Sequence, residues 1–179
     1  MPTIEQVRAQ IDKLPHKYIF YTKKEIRHLP KILADGEDIL ALTSGYRDKK
    51  TWLAVCTNRR LLLINSGMFF GLHIVQMNLD RIQSMDSSHV IFFGTIRFWD
   101  GASSIALDLV LKGSIEPFMQ TTQMAMDVYK RELAFDIANN VVKTGPKLTD
   151  ELERLSKMRA AGLLSEEEFN SAKAKLLGK

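Results

Sequence analysis

The residue types that carry most enzymatic and metal chemistry are sparse in this chain. Histidines stand at His16, His28, His73 and His89, without the His-x-x-x-His or Cys/His spacing that converges ligands on zinc. His73 and His89 could approach each other across strands, although a strand or surface histidine is the commoner outcome. Cys56, the one cysteine, lies in an apolar run, which suits a small buried side chain better than a nucleophile. A single cysteine also excludes an internal disulfide framework. No Gly-x-x-x-x-Gly-Lys loop, Gly-x-Ser-x-Gly elbow or Gly-x-Gly-x-x-Gly turn occurs. Of the clustered carboxylates, Glu166, Glu167 and Glu168 fit the first turn of a helix, and Asp35, Glu37 and Asp38 flank a turn. No catalytic set, no cofactor and no metal is therefore expected. An enzyme whose site is assembled from residues distant in sequence would need a deep polar pocket with two or more titratable groups.

Anion recognition is the other chemistry to weigh, because clustered phosphates need converging cations. Arg47, Lys49 and Lys50 crowd one turn and are the candidate anion or lipid ligands. The formal charge of +4 over 179 residues is unevenly spread. Residues 1 to 35 carry seven Lys/Arg against four Asp/Glu, residues 36 to 145 carry eleven against eleven, and residues 146 to 179 carry seven against six. A nucleic-acid reader concentrates positive charge on its folded reading surface, often with aromatic interleaving. The neutral central region does not, so no nucleic-acid partner is expected. The excess sits instead around Lys17, Lys23, Lys24, Arg27 and Lys31, where a solvated helix face or an anionic membrane surface accounts for it. No apolar window approaches a transmembrane span, and the N-terminus lacks a signal peptide's apolar stretch. The expected location is the cytoplasm, with the membrane periphery as the alternative.

The elements that would position these residues are legible as changes of period. With 45% apolar residues the chain is able to bury a core. Seven strand patterns follow the N-terminal helical segment: 37–46, two apolar runs within 51–65 separated by Thr57-Asn58-Arg59-Arg60, then 72–78, 81–87, 90–99 and 104–111. Short strands at this spacing predict a small antiparallel barrel or sandwich, whose edges must be closed or covered. From Ser114 onward Ile115, Phe118, Met119, Thr122, Met126, Tyr129, Leu133 and Ile137 keep steps of three and four. Ser114 is the expected N-cap of this helix, with Pro117 tolerated in its first turn. Run to Val142, the helix is about 28 residues and about 42 Å long. Its first half could cap the barrel while Met124, Val128, Phe135 and Val141, on other faces, meet a second element or chain.

The last thirty residues predict a helical hairpin. Leu152, Leu155 and Met158 form one apolar stripe, Gly162 ends the first helix, and Phe169, Ala172, Leu176 and Leu177 resume the stripe. Ser165 and Glu168 fit a capping box, and Leu164 with Phe169 a hydrophobic staple. Gly145-Pro146 should break the long helix ahead of it, with Thr149 as the next N-cap. Helices this short are marginal alone, so the hairpin must pack on something.

Two resemblances follow from these residues. The run from Leu152 to Leu177, with its Gly162, Ser165 cap, Glu168-Phe169 pair and Lys173, resembles the SHOCT family, a short C-terminal helical hairpin appended to many bacterial proteins. The resemblance implies a small assembly or tethering module without activity of its own. The segments Thr57-Asn58-Arg59-Arg60-Leu61-Leu62-Leu63-Ile64 and Met77-Asn78-Leu79-Asp80-Arg81-Ile82-Gln83-Ser84 are similar to the bacterial branch of the pleckstrin-homology superfold. Phe93-Gly94-Thr95-Ile96 fits the bend that follows, and Leu29-Pro30-Lys31-Ile32-Leu33 with Glu37 and Ile39 looks like its lead-in helix. The match spans roughly residues 20 to 140. The implied fold is α+β and mainly β, a seven-stranded antiparallel barrel or sandwich capped by a long helix. Eukaryotic phosphoinositide-binding members place basic residues on the second strand, where this chain reads Trp52-Leu53-Ala54-Val55-Cys56.

The expected organisation is thus an N-terminal helical segment (1–35), a pleckstrin-like domain with its helix (36–145) and a hairpin (146–179). The expected role is non-catalytic protein binding: self-association or an adaptor function, in a homo-oligomer. Leu152, Leu155, Met158, Phe169, Leu176, Met124, Val128 and Phe135 are the candidate partner-binding residues. The alternative is a peripheral membrane protein that uses the basic N-terminal helix and the Lys49/Lys50 loop.

Overall fold

The computed structural model describes residues 1–67, 71–144 and 148–176, with backbone alone at 17, 18, 140–144, 148 and 149. Two compact units divide the chain, Met1–Glu132 and Leu133–Lys179.

The first unit opens with helix α1 (Ile4–Lys13), whose Thr3 and Gln6 form a capping box. A two-residue strand β1 (Lys17–Tyr18) and helix α2 (Lys23–Ile32) follow. Next come β2 (Ile39–Arg47), β3 (Lys50–Thr57), β4 (Arg60–Ser66), β5 (Leu72–Asn78), β6 (Ser84–His89), β7 (Phe93–Trp99) and β8 (Ser104–Leu111). Among the described residues the antiparallel path is β5-β4-β3-β2-β8-β7-β6, with β1 alongside β2 in parallel. These are the seven antiparallel strands that the periodicity predicts, with ends shifted by up to three residues.

The path bends into two sheets. Strands β2 to β5 form one and β6 to β8 the other, joined where Tyr46 pairs with Asp108. Gly45 makes that junction possible: a Cβ there would lie 2.5 Å from Leu107 Cγ and 2.7 Å from the Asp108 carbonyl oxygen. Between the sheets lies the main core, with Ala54, Cys56, Leu61, Leu63, Ile96, Phe98 and Leu107.

A second core lies on the outer face of the first sheet. Val7 and Ile11 of α1 and Leu29 of α2 cover Leu53, Val55, Leu62 and Ile64 there. Burial on both faces explains why β3 and β4 read as continuous apolar runs instead of alternating. Odd and even positions serve different cores.

Helix α3 (Lys112–Thr144) follows β8. Its Ile115, Phe118, Ala125 and Met126 enter the main core, and the Phe118 ring meets Phe98 edge-on at 6.4 Å. The helix caps the sheets as expected, but it begins at Lys112, so Ser114 is not its N-cap. The Lys112 N–H is already bonded to the Phe92 carbonyl, so strand β8 passes directly into the helix. The Ser114 hydroxyl, released from capping, sits buried within 2.8 Å of Thr43 Oγ1 and of the Leu111 carbonyl.

In the second unit α4 (Leu148–Ala160) and α5 (Glu166–Leu176) form the hairpin. α4 begins one residue ahead of Thr149, which is therefore helical and not the cap. Gly145-Pro146, Leu177 and the side chain of Val141 lie outside the described residues. Gly162 at φ +70° closes a Schellman turn, in which the Leu163 N–H donates to the Met158 carbonyl and the Gly162 N–H to that of Arg159. Ser165 and Glu168 cap α5 reciprocally, at 2.9 Å and 3.2 Å. The Ser165 N–H and then the Ser165 hydroxyl, both donating to Glu168 Oε2, hold the Glu168 carboxyl below the usual carboxylate range.

Candidate interaction surfaces

The turn β2–β3 carries the candidate anion ligands. Arg47 pairs with Lys50 across the end of the hairpin, and Asp48 and Lys49 both have positive φ. Lys49 and Lys50 are exposed. Arg47 is committed inward: its Nε lies 3.3 Å from Asp48 Oδ2, and its guanidinium carbon sits 5.7 Å from the Trp52 ring centroid. The indole nitrogen of Trp52 in turn donates to the Arg47 carbonyl.

The start of α2 lies at the same end of the first sheet. The Ser66 N–H at the end of β4 donates to Glu25 Oε1, and Asn65 Nδ2 donates to the Thr51 carbonyl beside Lys50. Lys23, Lys24 and Arg27 of α2 are exposed.

Arg59 and Arg60 lie at the opposite end, in the β3–β4 turn, and both are engaged. Arg60 Nε and Nη2 grip Glu37 at 2.9 and 2.8 Å, Nη2 reaches the Ile32 carbonyl at 3.0 Å, and Nη1 bonds Gln76. Glu37 is 2% exposed, and also accepts from the Ala34 N–H and lies 2.9 Å from Thr57 Oγ1. Thr57 Oγ1 accepts from the Arg60 N–H as well. Arg59 Nη2 donates to the Asp35 carbonyl. The Thr-x-x-Arg pattern is thus an internal clamp that ties the lead-in turn to the first sheet. Its meaning was hidden in the sequence because Glu37 is 23 positions away from Arg60.

Burial pushes the Glu37 carboxyl up. The Arg60 hydrogen bonds, the Ala34 N–H and Thr57 outweigh it and hold the group below its ordinary value. Burial, the first influence on Cys56 too, pushes its thiol up to about 11. Cys56 is a core residue at neutral pH.

His73 pairs with Asn65 and His89 with Gly94, on strands at the two ends of the path, so they are not cross-strand neighbours. Among the described residues no cluster of His, Cys, Asp and Glu could hold a metal. A cleft of about 480 Å³ opens between α1 and residues 34–38. Its carboxylates are engaged: Glu37 with Arg60, Asp38 with Gln10, and Asp35 with the N-terminal ammonium.

The candidate partner-binding residues fall into two groups. On α3, Met124, Val128 and Phe135 are exposed. In the hairpin, Leu152, Leu155, Met158 and Leu176 are half-buried and Phe169 is buried. The Arg159 guanidinium lies 5.1 Å from the Phe169 ring centroid. Sequence periodicity missed a further exposed group, Val90, Ile91, Phe92, Phe93 and Leu109. A run of apolar residues signals a buried strand unless a turn is recognised within it, and here the turn spans residues 90–93. Among the described residues no helix is long and apolar enough to cross a membrane.

Comparison with known proteins adds the family. A bacterial PH domain model matches residues 33–124 and a short C-terminal domain model, SHOCT, matches residues 150–177. No curated protein sequence matches the chain. Among solved structures, the chain is similar to a pleckstrin-homology protein from Shewanella loihica at 19% identity and TM-score 0.42, covering 58% of this chain and 94% of that one. It is likewise similar to a pleckstrin-homology domain from Shewanella amazonensis at 20% identity and TM-score 0.40, covering 56% and 92%. Both matched families are generally non-catalytic, and PH domains commonly mediate protein or lipid interactions. Strand order, capping helix and matched residues agree: the chain belongs to the bacterial PH-domain family and carries a SHOCT hairpin at its C-terminal end.

Proposed function

We propose that the protein is an assembly module that associates with copies of itself. The observation that carries this reading is the apolar stripe on α3. Met124 and Phe135 are each 66% exposed and Val128 is 46% exposed, at spacings of four and seven that put them on one helical face. Large apolar side chains at helical spacing on an open face are the signature of a helix that pairs with another. Asp127, Lys130, Arg131 and Glu132 between them supply both signs of charge for register. The half-buried hairpin stripe of Leu152, Leu155, Met158 and Leu176, with Phe169, offers a second contact of the same kind. An adaptor that binds a different protein through these surfaces is the other form of the same role.

Light scattering on the full chain tests this. The expected mass is a discrete multiple of one chain, and Met124→Glu with Phe135→Glu lowers it to that of one chain. A single-chain mass for the unaltered protein overturns the proposal.

One arrangement favours the membrane-surface alternative. Lys49 and Lys50 share an end of the first sheet with Lys23 and Lys24 at the start of α2, so four exposed cations gather there. Cosedimentation with phosphatidylserine vesicles at low salt, lost at high salt and in Lys49→Ala with Lys50→Ala, is the outcome this reading requires.

A further inference from the structure

The turn between β6 and β7 is unusual for an exposed hairpin tip. Val90 is 77% exposed, Ile91 72%, Phe92 71% and Phe93 47%, and Leu109 beside them is 57% exposed. The five line a single depression of about 380 Å³, so they form one patch. Single exposed apolar residues need no explanation, but a contiguous patch does. Leu109 reaches it in the left-handed region, at φ +49°. A bulge there sets Leu107 and Val110 against Ile96 and Gly94. A leucine at positive φ is a rare conformation, held by the surrounding strands.

From these observations we infer that the β6–β7 tip inserts into the interfacial layer of a lipid bilayer. Three features favour lipid over protein as the occupant. The patch sits on a hairpin tip beyond the last cross-strand pair, His89 with Gly94, which is a projecting shape suited to penetration. Between Asp86 and Arg97 the chain has no charged residue, Asp86 and Arg97 pair with each other, and the one carboxylate that lines the depression, Asp108 at its edge, accepts from Thr95 Oγ1. Phe92 and Phe93 would suit either occupant, but the tip lacks the Trp, Tyr and Arg side chains that dominate the hot spots of protein interfaces.

The backbone is suited to the same end. The Val90 N–H donates to the Phe93 carbonyl and the Phe92 carbonyl accepts from Lys112, while the Ile91 and Phe92 N–H groups have no backbone partner among the described residues, which limits insertion to the interfacial layer, where water still reaches them. Lys112, exposed next to the patch, is a cation placed for the headgroup layer. The tip is distinct from the lysine turn: β8 runs on from its pairing with Tyr46 antiparallel to β2, away from Lys49 and Lys50, before Leu111 meets Phe93.

The test uses the full chain with Ile91→Cys, labelled by an environment-sensitive fluorophore. Cys56 is buried with its thiol pushed up to about 11, so the new thiol is the reactive one. With phosphatidylcholine vesicles the label is expected to shift to the blue and to be quenched by brominated acyl chains, and to remain so at high salt. Unlabelled Ile91→Asp with Phe92→Asp should partition about tenfold less or weaker, and the milder Val90→Ser should fall between that variant and the native chain. An unquenched label overturns the inference, including the case in which the protein binds phosphatidylserine vesicles only through its lysines. Undiminished partition of the double variant also overturns it. So does a drop in chain mass without vesicles, which would make the occupant a second copy.

Discussion

Glu37 illustrates what single residues do here. A carboxylate that is 2% exposed would be strongly destabilising alone, yet Arg60 takes it in two hydrogen bonds while Ala34 and Thr57 satisfy the rest. Removing the carboxylate leaves the Arg60 charge only the neutral Ile32 carbonyl and Gln76, so Glu37→Ala should lower unfolding free energy by about 3 kcal/mol. Urea denaturation checks this, and a loss below about 1 kcal/mol would contradict it. The pair also sets a pH dependence. Because the folded-state pKa of Glu37 is depressed, its contribution is complete above the ordinary value of 4.5 and is lost as pH falls through the lower folded value. The native chain should therefore lose stability below pH 4.5 more steeply than Glu37→Gln; parallel acid-denaturation curves would contradict this. None of this was legible from the sequence, where Glu37 reads as one of three acids at a turn. Side-chain pairing across 23 positions has no periodic signature. The anion-ligand candidates behaved differently: spacing alone put Lys49 and Lys50 on an open turn, since a turn is a local event.

Elements show the same division. The hairpin caps at Gly162 and Ser165 were legible residue by residue, because capping involves neighbours three or four positions apart, whereas Thr149 lies inside α4. Ser165→Ala removes the hydroxyl that receives the Glu168 N–H. About 1 kcal/mol of helix stability should be lost, seen as roughly fivefold faster amide exchange in α5. Unchanged exchange would mean that packing, and not the cap, holds the helix. The start of α3 was not legible. Periodicity points to Ser114 as a cap, but the preceding strand and the Phe92 carbonyl supply the first turn with its partner, a tertiary bond no local pattern encodes. The tip at residues 90–93 misleads for a related reason: apolar residues in series imply burial, and only the observed turn exposes them.

At the scale of the whole molecule, the junction between the sheets leaves no room for a side chain at Gly45. Gly45→Ala would push a methyl to within 3 Å of both Leu107 and the Asp108 carbonyl. Backbone cannot yield as a flexible side chain can, so the expected loss is about 1–3 kcal/mol, read as a lower urea midpoint with the slope unchanged. A midpoint equal to that of the native chain would mean that the sheets move apart freely. The sequence by itself determined the number and approximate limits of the strands, the capping helix and the hairpin with its Gly162 and Ser165 caps, because periodicity, turn residues and capping act over a few positions. Tertiary structure alone decided that the first sheet is buried on both faces, that Arg60 belongs to Glu37 and not to a ligand, and that Val90 to Phe93 face solvent. Each of those depends on contacts between residues far apart in the chain, which exist only once the sheets close and the helices settle on them.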